Sequence, residues 1–481
     1  MKESAAILAC GIHVPRLRLS RARIAAETAW LSAPARPTPP GERAIGNWDE
    51  DALTMAVGAA REALAGRSAT PPATLAFCTT TAPFADRDDA GLVAATLALP
   101  ETTATQNNGG SLRAGTRALI GACAAAGKEA TLVIASDQRL ARIGSTQEFA
   151  YGDAAAALLV GKAGESAPLA TVLATHARGS DFVDHYRMAG ARFDYALEER
   201  WVRDESFLKI VPRTIGELLT AVAVNPADVR HLAAPLGAGL ARRIAQVSGL
   251  ANASVDERLQ RACGDAGTAM PLLEILAALA RAAPGEMLVA IGLGQGVDAL
   301  LLRAEAGAPR ASAALERALE RRREETSYLR YLSHRGLVEV DFGMRAERDQ
   351  RTAHTVAYRK RAAVSAFVGG RCERCGTVQF PLARVCVNPQ CRATDTQQPH
   401  RLADSTGRVK TFTEDWQAFA PRPPYVYGNV EFAEGGNLLM EFTDVESGEL
   451  AVGDPVRFEF RIKDEDRARG FRRYFWKATR V

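Results

Sequence analysis

Residues 130–161 read ATLVIASDQRLARIGSTQEFAYGDAAAALLVG. Two apolar runs, ATLVIASD (130–137) and AAAALLVG (154–161), flank a polar connection. Both runs are near-continuously apolar, which predicts strands buried on both faces. Outward from there, ATLAFCTTT (73–81), HLAAPLG (231–237) and EMLVAIGLG (286–294) repeat the pattern. Between them lie segments with helical spacing: DEDALTMAVGAAREALA (49–65), SLRAGTRALIGACAAAG (111–127) and GTAMPLLEILAALARAA (267–283). The alternation predicts an α/β layered fold up to about residue 305. In the helix at 49, Asp49 is placed to cap, Asp51 suits the dipole, and Leu53, Val57, Ala60 and Leu64 form one apolar stripe. Two parts of the region each pair a small-residue helix entry with a strong β run, the mark of an internal duplication.

At 481 residues the chain is long enough for two or three domains. Its 47% hydrophobic and 24% charged content is that of a globular protein with large cores. A net charge of +4 gives no reason to expect nucleic acid or an anionic membrane as partner. The opening AAILACGI follows Glu3 and precedes no A-x-A site, so it is taken as a strand and not a signal peptide. No apolar run reaches the roughly 18 residues of a spanning helix. A cytoplasmic location is expected.

Of eight cysteines, Cys10, Cys78, Cys123 and Cys263 are scattered in apolar surroundings, as buried thiols are. The other four fall in CERCGTVQFPLARVCVNPQC (372–391), with Cys372, Cys375, Cys386 and Cys391 spaced as Cys-x2-Cys-x10-Cys-x4-Cys. Two knuckles of this kind close on a tetrahedral ion, and four thiolates leave no position open for water. The site is therefore expected to be structural, with Zn2+ as the default and a rubredoxin-like iron as the alternative.

The segment 306–368 changes character. ALERALERRREETSYLRYLSHRG is dense in Arg and Glu at helical spacing, as expected of a solvated linker or of a docking helix. Residues 369–395 form the cysteine knuckle, and 396–481 are β-rich with turn glycines, which predicts a small closed or half-closed barrel. The expected organisation is an α/β domain over 1–305 with halves of about 1–165 and 166–305, a charged segment, a ribbon and a barrel.

One more stretch bears on chemistry. Residues 105–119, TQNNGGSLRAGTRAL, form a polar turn leading into a helix. A first helical turn offers unpaired N–H groups and a positive dipole end, where a cysteine would be acidified and reactive. This chain has Ser111 and Leu112 there.

With these residues in view, 1–305 resembles the 3-hydroxy-3-methylglutaryl-CoA (HMG-CoA) synthase and ketoacyl synthase III branch of the thiolase superfamily. The likeness is carried by ILACGIHVPRLRL, NWDEDALTMAVGAA, FCTTTAPF, SDQRLARIGSTQEFAYGDAAAALLVG, SDFVDHYRM, GDAGTAMPLLEIL and AIGLGQGVDALLLR, in that order. Residues 328–481 resemble the rubredoxin-like zinc ribbon and acyl-CoA-associated OB-fold module often called DUF35, through C-x2-CG…P…C…C, GRVKTFT and GDPVRFEF. The resemblance implies a duplicated five-layered thiolase fold that dimerises, a coenzyme A thioester as substrate, and a ribbon–OB module that shapes the acyl-CoA site.

The family's catalytic pattern is broken in this chain. The acylated Cys of the family falls on Leu112, its His on Pro235, its Asn on Asp265 and the synthase's general-base Glu on Thr80. Leucine forms no thioester, so acyl transfer through position 112 is excluded. Ser111 would need an adjacent base. His231 begins a strand, as a structural histidine does, and His185, beside Asp184, Tyr186 and Arg187 in the polar segment DFVDHYRM, is a candidate for chemistry or a surface contact. Asp265 occupies a matched position at a helix entry, where an apolar neighbourhood would raise it into general-base range or where it is a plain N-cap. Tyr151 is placed to donate to an enolate oxygen. GLGQG (292–296) lacks the G-x-G-x-x-G spacing of a dinucleotide loop.

Two functions fit this pattern, and a third keeps the family's own. The first is an aldol or retro-aldol carbon–carbon ligase or lyase acting on a β-hydroxyacyl-CoA, which needs a base and an oxyanion site but no acylated Cys. The second is a non-catalytic thiolase-like subunit that binds acyl-CoA in a complex with an active thiolase or hydratase. The third is a condensing acyltransferase of the HMG-CoA synthase kind. A homodimer or a hetero-oligomer with another thiolase-like or hydratase subunit is expected.

Overall fold

Strands β1 (Ala5–His13), β2 (Thr74–Cys78), β3 (Ala104–Asn108), β4 (Thr131–Asp137) and β5 (Ala154–Lys162) come from the first half of the α/β region. Strands β6 (Ala170–Gly179), β7 (Val229–Ala233), β8 (Ser254–Val255), β9 (Met287–Leu293) and β10 (Gly296–Ala304) come from the second. Together they form a ten-stranded sheet ordered β8-β7-β9-β10-β6-β1-β5-β4-β2-β3. Outward from the β1–β6 junction the two halves repeat one order. In the first, β4 runs parallel to β2 and antiparallel to β5; in the second, β9 runs parallel to β7 and antiparallel to β10. The duplication expected from the sequence is thus one of topology. This computed structural model describes residues 5–31, 38–67, 71–127, 129–163, 167–347, 351 and 353–481. The half boundary expected near 165 lies outside them.

Helix α1 (Ala52–Leu64) covers β1, β4 and β5. Helix α2 (Ala114–Ala125) packs against strands of both halves. Helices α3 (Val211–Ala221) and α4 (Ala238–Val247) cover the second half from outside. Helix α5 (Met270–Leu279) joins α2 between the half-sheets, and every one of its residues is buried. The result is the five-layered α-β-α-β-α arrangement. Helix α1 starts three residues later than Asp49. Its cap is Asp51, whose carboxylate accepts from the Leu53 and Thr54 N–H groups while the Thr54 hydroxyl bonds back to the Asp51 N–H.

The chain divides into two units, the first running to Tyr331 and the second comprising 332–481 with the short pieces 47–50 and 95–98. The charged segment from 306 belongs to the first unit up to that point. Helix α6 (Pro309–Glu320) carries a buried stripe of Ala311, Ala314, Leu315 and Ala318 against the core. Spacing of 3, 4 and 7 puts these small residues on one face, and the charges occupy the other.

In the second unit, β11 (Val368–Cys372), β12 (Val378–Gln379) and β13 (Gln397–Arg401) form the ribbon sheet. Strands β14 (Gly407–Asp415), β15 (Tyr425–Phe432), β16 (Asn437–Glu441), β17 (Pro455–Asp466) and β18 (Phe471–Arg480) follow, ordered β16-β15-β14-β17-β18. A bridge between Phe442 and Ala478 carries the β16 end back to β18, so the sheet curls into a half-closed barrel. Phe367 fills its centre, with Phe380, Phe458 and Trp476 ring centroids 5.3, 5.4 and 5.9 Å away. Asp49 and Glu50 belong to this unit. Lys477 Nζ lies 3.0 Å from Asp49, and Arg461 lies 2.7 Å from Glu50 and 2.9 Å from Asp444, all buried. No helix among the described residues is long and apolar enough to cross a membrane.

Candidate functional site

Asp137, the last residue of β4, organises the site and is fully buried. Its Oδ1 accepts from the hydroxyls of Thr79, Thr80 and Thr81 at 2.9, 3.1 and 2.9 Å and from the Thr80 N–H at 2.7 Å. Its Oδ2 accepts from the Thr268 N–H at 2.8 Å. One carboxyl thus ties the turn after β2 to the entry of α5. Gly267 permits the approach: it sits at φ +60°, and a Cβ there would fall 2.4 Å from Asp137 Oδ2.

Asp265 lies one turn away. Its backbone pairs with residues 150–152, the Asp265 N–H donating to Ala150 and the Gly152 N–H to Asp265, and Tyr151 bridges directly to it. Gly152 allows this closeness, because a Cβ there would fall 1.7 Å from the Cys263 carbonyl. Asp265 Oδ1 accepts from the Gly267 N–H at 3.0 Å, and Oδ2 accepts from the buried Arg139 guanidinium. The neighbourhood of Asp265 is therefore cationic and not apolar as expected from the sequence. Arg139 lies 3.7 Å from the Tyr151 ring centre, a cation–π stack. The pair with Asp265 outweighs burial and holds Arg139 above its usual range.

The Tyr151 hydroxyl donates to Asp194 Oδ2 at 2.8 Å. Burial, opposed by Arg139 and reinforced by Asp194, raises the Tyr151 phenol above its ordinary value. Arg187 donates to Asp194 Oδ1 at 3.0 Å and to the Thr80 carbonyl. It belongs to the hairpin whose strands are His185–Tyr186 and Tyr195–Ala196. In that hairpin His185 Nδ1 lies 2.9 Å from Asp184. Thr80, Tyr151 and Asp265 are thereby joined through Asp137, Arg139, Asp194 and Arg187.

Ser111 is not part of this network. Helix α2 begins at Ala114, and Ser111 and Leu112 form the turn before it. The Ser111 hydroxyl donates to the Gly294 carbonyl at 2.9 Å and accepts from the Arg113 N–H at 3.2 Å, and neither partner is a base. Buried Arg113 donates to the carbonyls of Gly294 and Gln295 and pairs with Asp298 at 2.8 Å. GLGQG is thus a turn clamped by Arg113. Ser111→Ala is expected to lower stability by about 1 kcal/mol in urea denaturation, whereas a serine nucleophile would show as an acylated Ser111 peptide. Pro235 sits half-buried in the turn between β7 and α4 and brings no polar side chain. His231 bonds Ser254 at 2.9 Å and Glu286 at 3.0 Å, lacing β8, β7 and the start of β9 together.

In the second unit the sulfurs of Cys372, Cys375, Cys386 and Cys391 all lie within 4.8 Å of one another. The Cys372–Cys391 and Cys375–Cys386 separations are 3.9 and 3.6 Å. A tetrahedron with 2.3 Å zinc–sulfur bonds has edges of about 3.8 Å, so the four sulfurs fit a zinc ion.

Sequence pattern alone marks Asp137 as a strand end and Arg187 as a neighbour of His185, and gives Arg139 and Asp194 no role. Asp137, Arg139, Arg187 and Asp194 belong to the polar stretches SDQRLAR and DFVDHYRMAGARFD, which carry part of the family resemblance but whose local pattern assigns these residues no partner.

Residues 359–397 match the family described as the ChsH2 rubredoxin-like zinc ribbon domain, and 400–461 the ChsH2 C-terminal OB-fold domain. A hydroxymethylglutaryl-CoA synthase of Aeropyrum pernix is 33% identical over 166 residues, covering 33% of this chain. That match spans 46% of the relative, a little under half its length. A DUF35 domain-containing scaffold protein of Methanocaldococcus jannaschii is 31% identical over 114 residues, 23% of this chain and 79% of that protein. Among solved structures, MvaS in complex with 3-hydroxy-3-methylglutaryl coenzyme A aligns with TM-score 0.59 at 20% identity, over 70% of this chain and 93% of that one. An HMG-CoA synthase complexed with CoA aligns with TM-score 0.60 at 18% identity, over 73% and 95%. At these identities the structural likeness establishes the fold. The chain therefore unites an N-terminal part of the HMG-CoA synthase-like thiolase fold with zinc-ribbon and OB-fold domains of the ChsH2/DUF35 kind.

Proposed function

We propose that the thiolase-fold part binds acyl-CoA thioesters and makes or breaks a carbon–carbon bond of the aldol type on a β-hydroxyacyl-CoA, without an acyl-enzyme. One observation carries the reading. Position 112 offers no nucleophile and the adjacent Ser111 hydroxyl is committed to Gly294, yet Thr80, Tyr151 and Asp265 are linked by a buried network of acid–base and hydrogen-bonding groups. Aldol chemistry needs a group to move the β-hydroxyl proton and donors for the thioester enolate, and no covalent intermediate. Tyr151, Asp265 and His185 are the candidate groups. The condensing direction of the same bond fits the likeness to an HMG-CoA synthase seen with CoA bound and to MvaS seen with HMG-CoA bound.

A structural zinc in the four-cysteine site would fold the ribbon and supply no open coordination position. Tyr151→Phe and Asp265→Ala are expected to lower cleavage of β-hydroxyacyl-CoA thioesters by about a hundredfold, measured as release of the shortened acyl-CoA. Rates equal to wild type in both variants would refute their assignment.

A second reading is supported by the archaeal relatives of the C-terminal region that are named scaffold proteins. In it the chain holds acyl-CoA within a complex with an active thiolase or hydratase. Stoichiometric co-purification of such a subunit, with no turnover by the isolated chain, would favour this second reading.

A further inference from the structure

We propose that Asp194, acting through the Tyr151 hydroxyl, is the proton acceptor of this site. The inference rests on the aldol reading above and adds to it the group that takes the proton.

The network holds three carboxyl groups, and their partners separate them. Asp137 is saturated by five donors, three hydroxyls and two peptide N–H groups, deep beneath the Thr79–Thr81 turn. Asp265 is held by a guanidinium on one oxygen and a peptide N–H on the other. Neither partner gives up a proton, because arginine stays protonated in proteins. Asp194 differs. One oxygen accepts from Arg187, and the other accepts from a phenol that can hand over its proton while receiving another.

Access points the same way. The Asp194 side chain is 4% exposed and lines a cavity of about 200 Å³ together with Leu140, Arg142, Gln147, Phe193 and Tyr195. The lining mixes polar and apolar groups in similar measure, and Asp194 is its one carboxyl group. Arg187 holds Asp194 from the hairpin side and is tied to the Thr80 carbonyl, so it is the positioning residue. The stack of Arg139 on the Tyr151 ring holds the phenol whose hydroxyl meets Asp194.

The step balances without an oxidant or water. The β-hydroxyl proton passes to Tyr151 Oη as Tyr151 gives its own proton to Asp194 Oδ2. The oxygen's released electron pair forms the carbonyl of the departing fragment. The Cα–Cβ bond breaks, and its electrons become the thioester enolate. The proton then returns from Asp194 through Tyr151 to Cα, giving a shortened acyl-CoA and a free aldehyde or ketone.

The test uses the full chain with Asp194→Asn, Tyr151→Phe and Arg187→Gln. Cleavage of β-hydroxyacyl-CoA is followed alongside exchange of acyl-CoA α-protons in deuterium oxide by NMR. Asp194→Asn is expected to slow both by 10²-fold or more with CoA affinity within about twofold of wild type, and Arg187→Gln to slow them less. Ultraviolet difference titration, with Tyr151→Phe as reference, reads the Tyr151 ionisation without any turnover. The charged groups facing this phenol are Asp194, Arg139 and Asp265, and removing the Asp194 charge is expected to move its ionisation to lower pH. If wild type cleaves substrate and Asp194→Asn keeps more than a tenth of the rate, the inference fails while the aldol reading stands. An unmoved Tyr151 titration in Asp194→Asn overturns the coupling whatever the activity. Wild type with neither cleavage nor exchange overturns the aldol reading, and the role of Asp194 with it.

Discussion

Stripping metal from the purified chain is expected to release one equivalent of zinc and expose four additional fast-reacting thiols. The four sulfurs already stand at the spacing a tetrahedral ion imposes. With the ion gone, four thiols at that spacing have no common partner. The ribbon strands β11, β12 and β13 are short and few, and a three-stranded sheet of this size has little core of its own. Structural zinc sites of this class contribute about 10–16 kcal/mol of apparent binding free energy at neutral pH, so metal loss should unfold the ribbon. Cys372→Ser or Cys386→Ser should reproduce the effect without chelator. Elemental analysis with a thiol-reagent time course checks it. A metal-free preparation whose four ribbon thiols remain slow would contradict the assignment, and an iron form would betray itself by visible absorption.

The second large effect concerns Asp137. Asp137→Ala removes the acceptor for five donors at once, in a place closed to bulk water. Each buried donor left unsatisfied costs about 1–3 kcal/mol, partly relieved by local shifts, so a net loss of about 3–5 kcal/mol is expected. Asp137→Asn keeps one acceptor oxygen for the threonines but turns an amide N–H₂ toward the Thr268 N–H, and should cost about half as much. Urea denaturation of both variants measures the difference. A change within 1 kcal/mol for Asp137→Ala would mean that the two turns are held together by something other than this carboxyl.

The strands were legible because burial on both faces leaves a near-continuous apolar run, and β4, β5 and β9 are such runs. The cysteine spacing was legible because metal geometry constrains it tightly. Helix α6 was legible as a helix but its burial was not, since its four buried small residues are outnumbered by charges that suit a solvated helix equally well. Asp49 looked like a cap because it precedes an apolar stripe. Its actual partner, Lys477, lies 428 positions away in sequence, beyond the reach of any local rule. The site showed the same limit. Thr79–Thr81 read as the end of a β-branched strand, and only the fold brings Asp137 beneath it. Arg139, Arg187 and Asp194 sit in polar connecting segments whose local pattern is that of loops. Their significance comes from long-range convergence on Tyr151.

The central claim is that carbon–carbon chemistry at this site proceeds without covalent attachment of the acyl group. One mass-spectrometric experiment tests it: the protein is mixed with a panel of β-hydroxyacyl-CoA thioesters, quenched, and the intact protein and the CoA products are weighed in the same sample. Shortened acyl-CoA is expected to accumulate over many turnovers while the protein mass stays that of the unmodified chain. An acyl adduct on the protein that forms and decays in step with product, or a full panel left uncleaved, would contradict it.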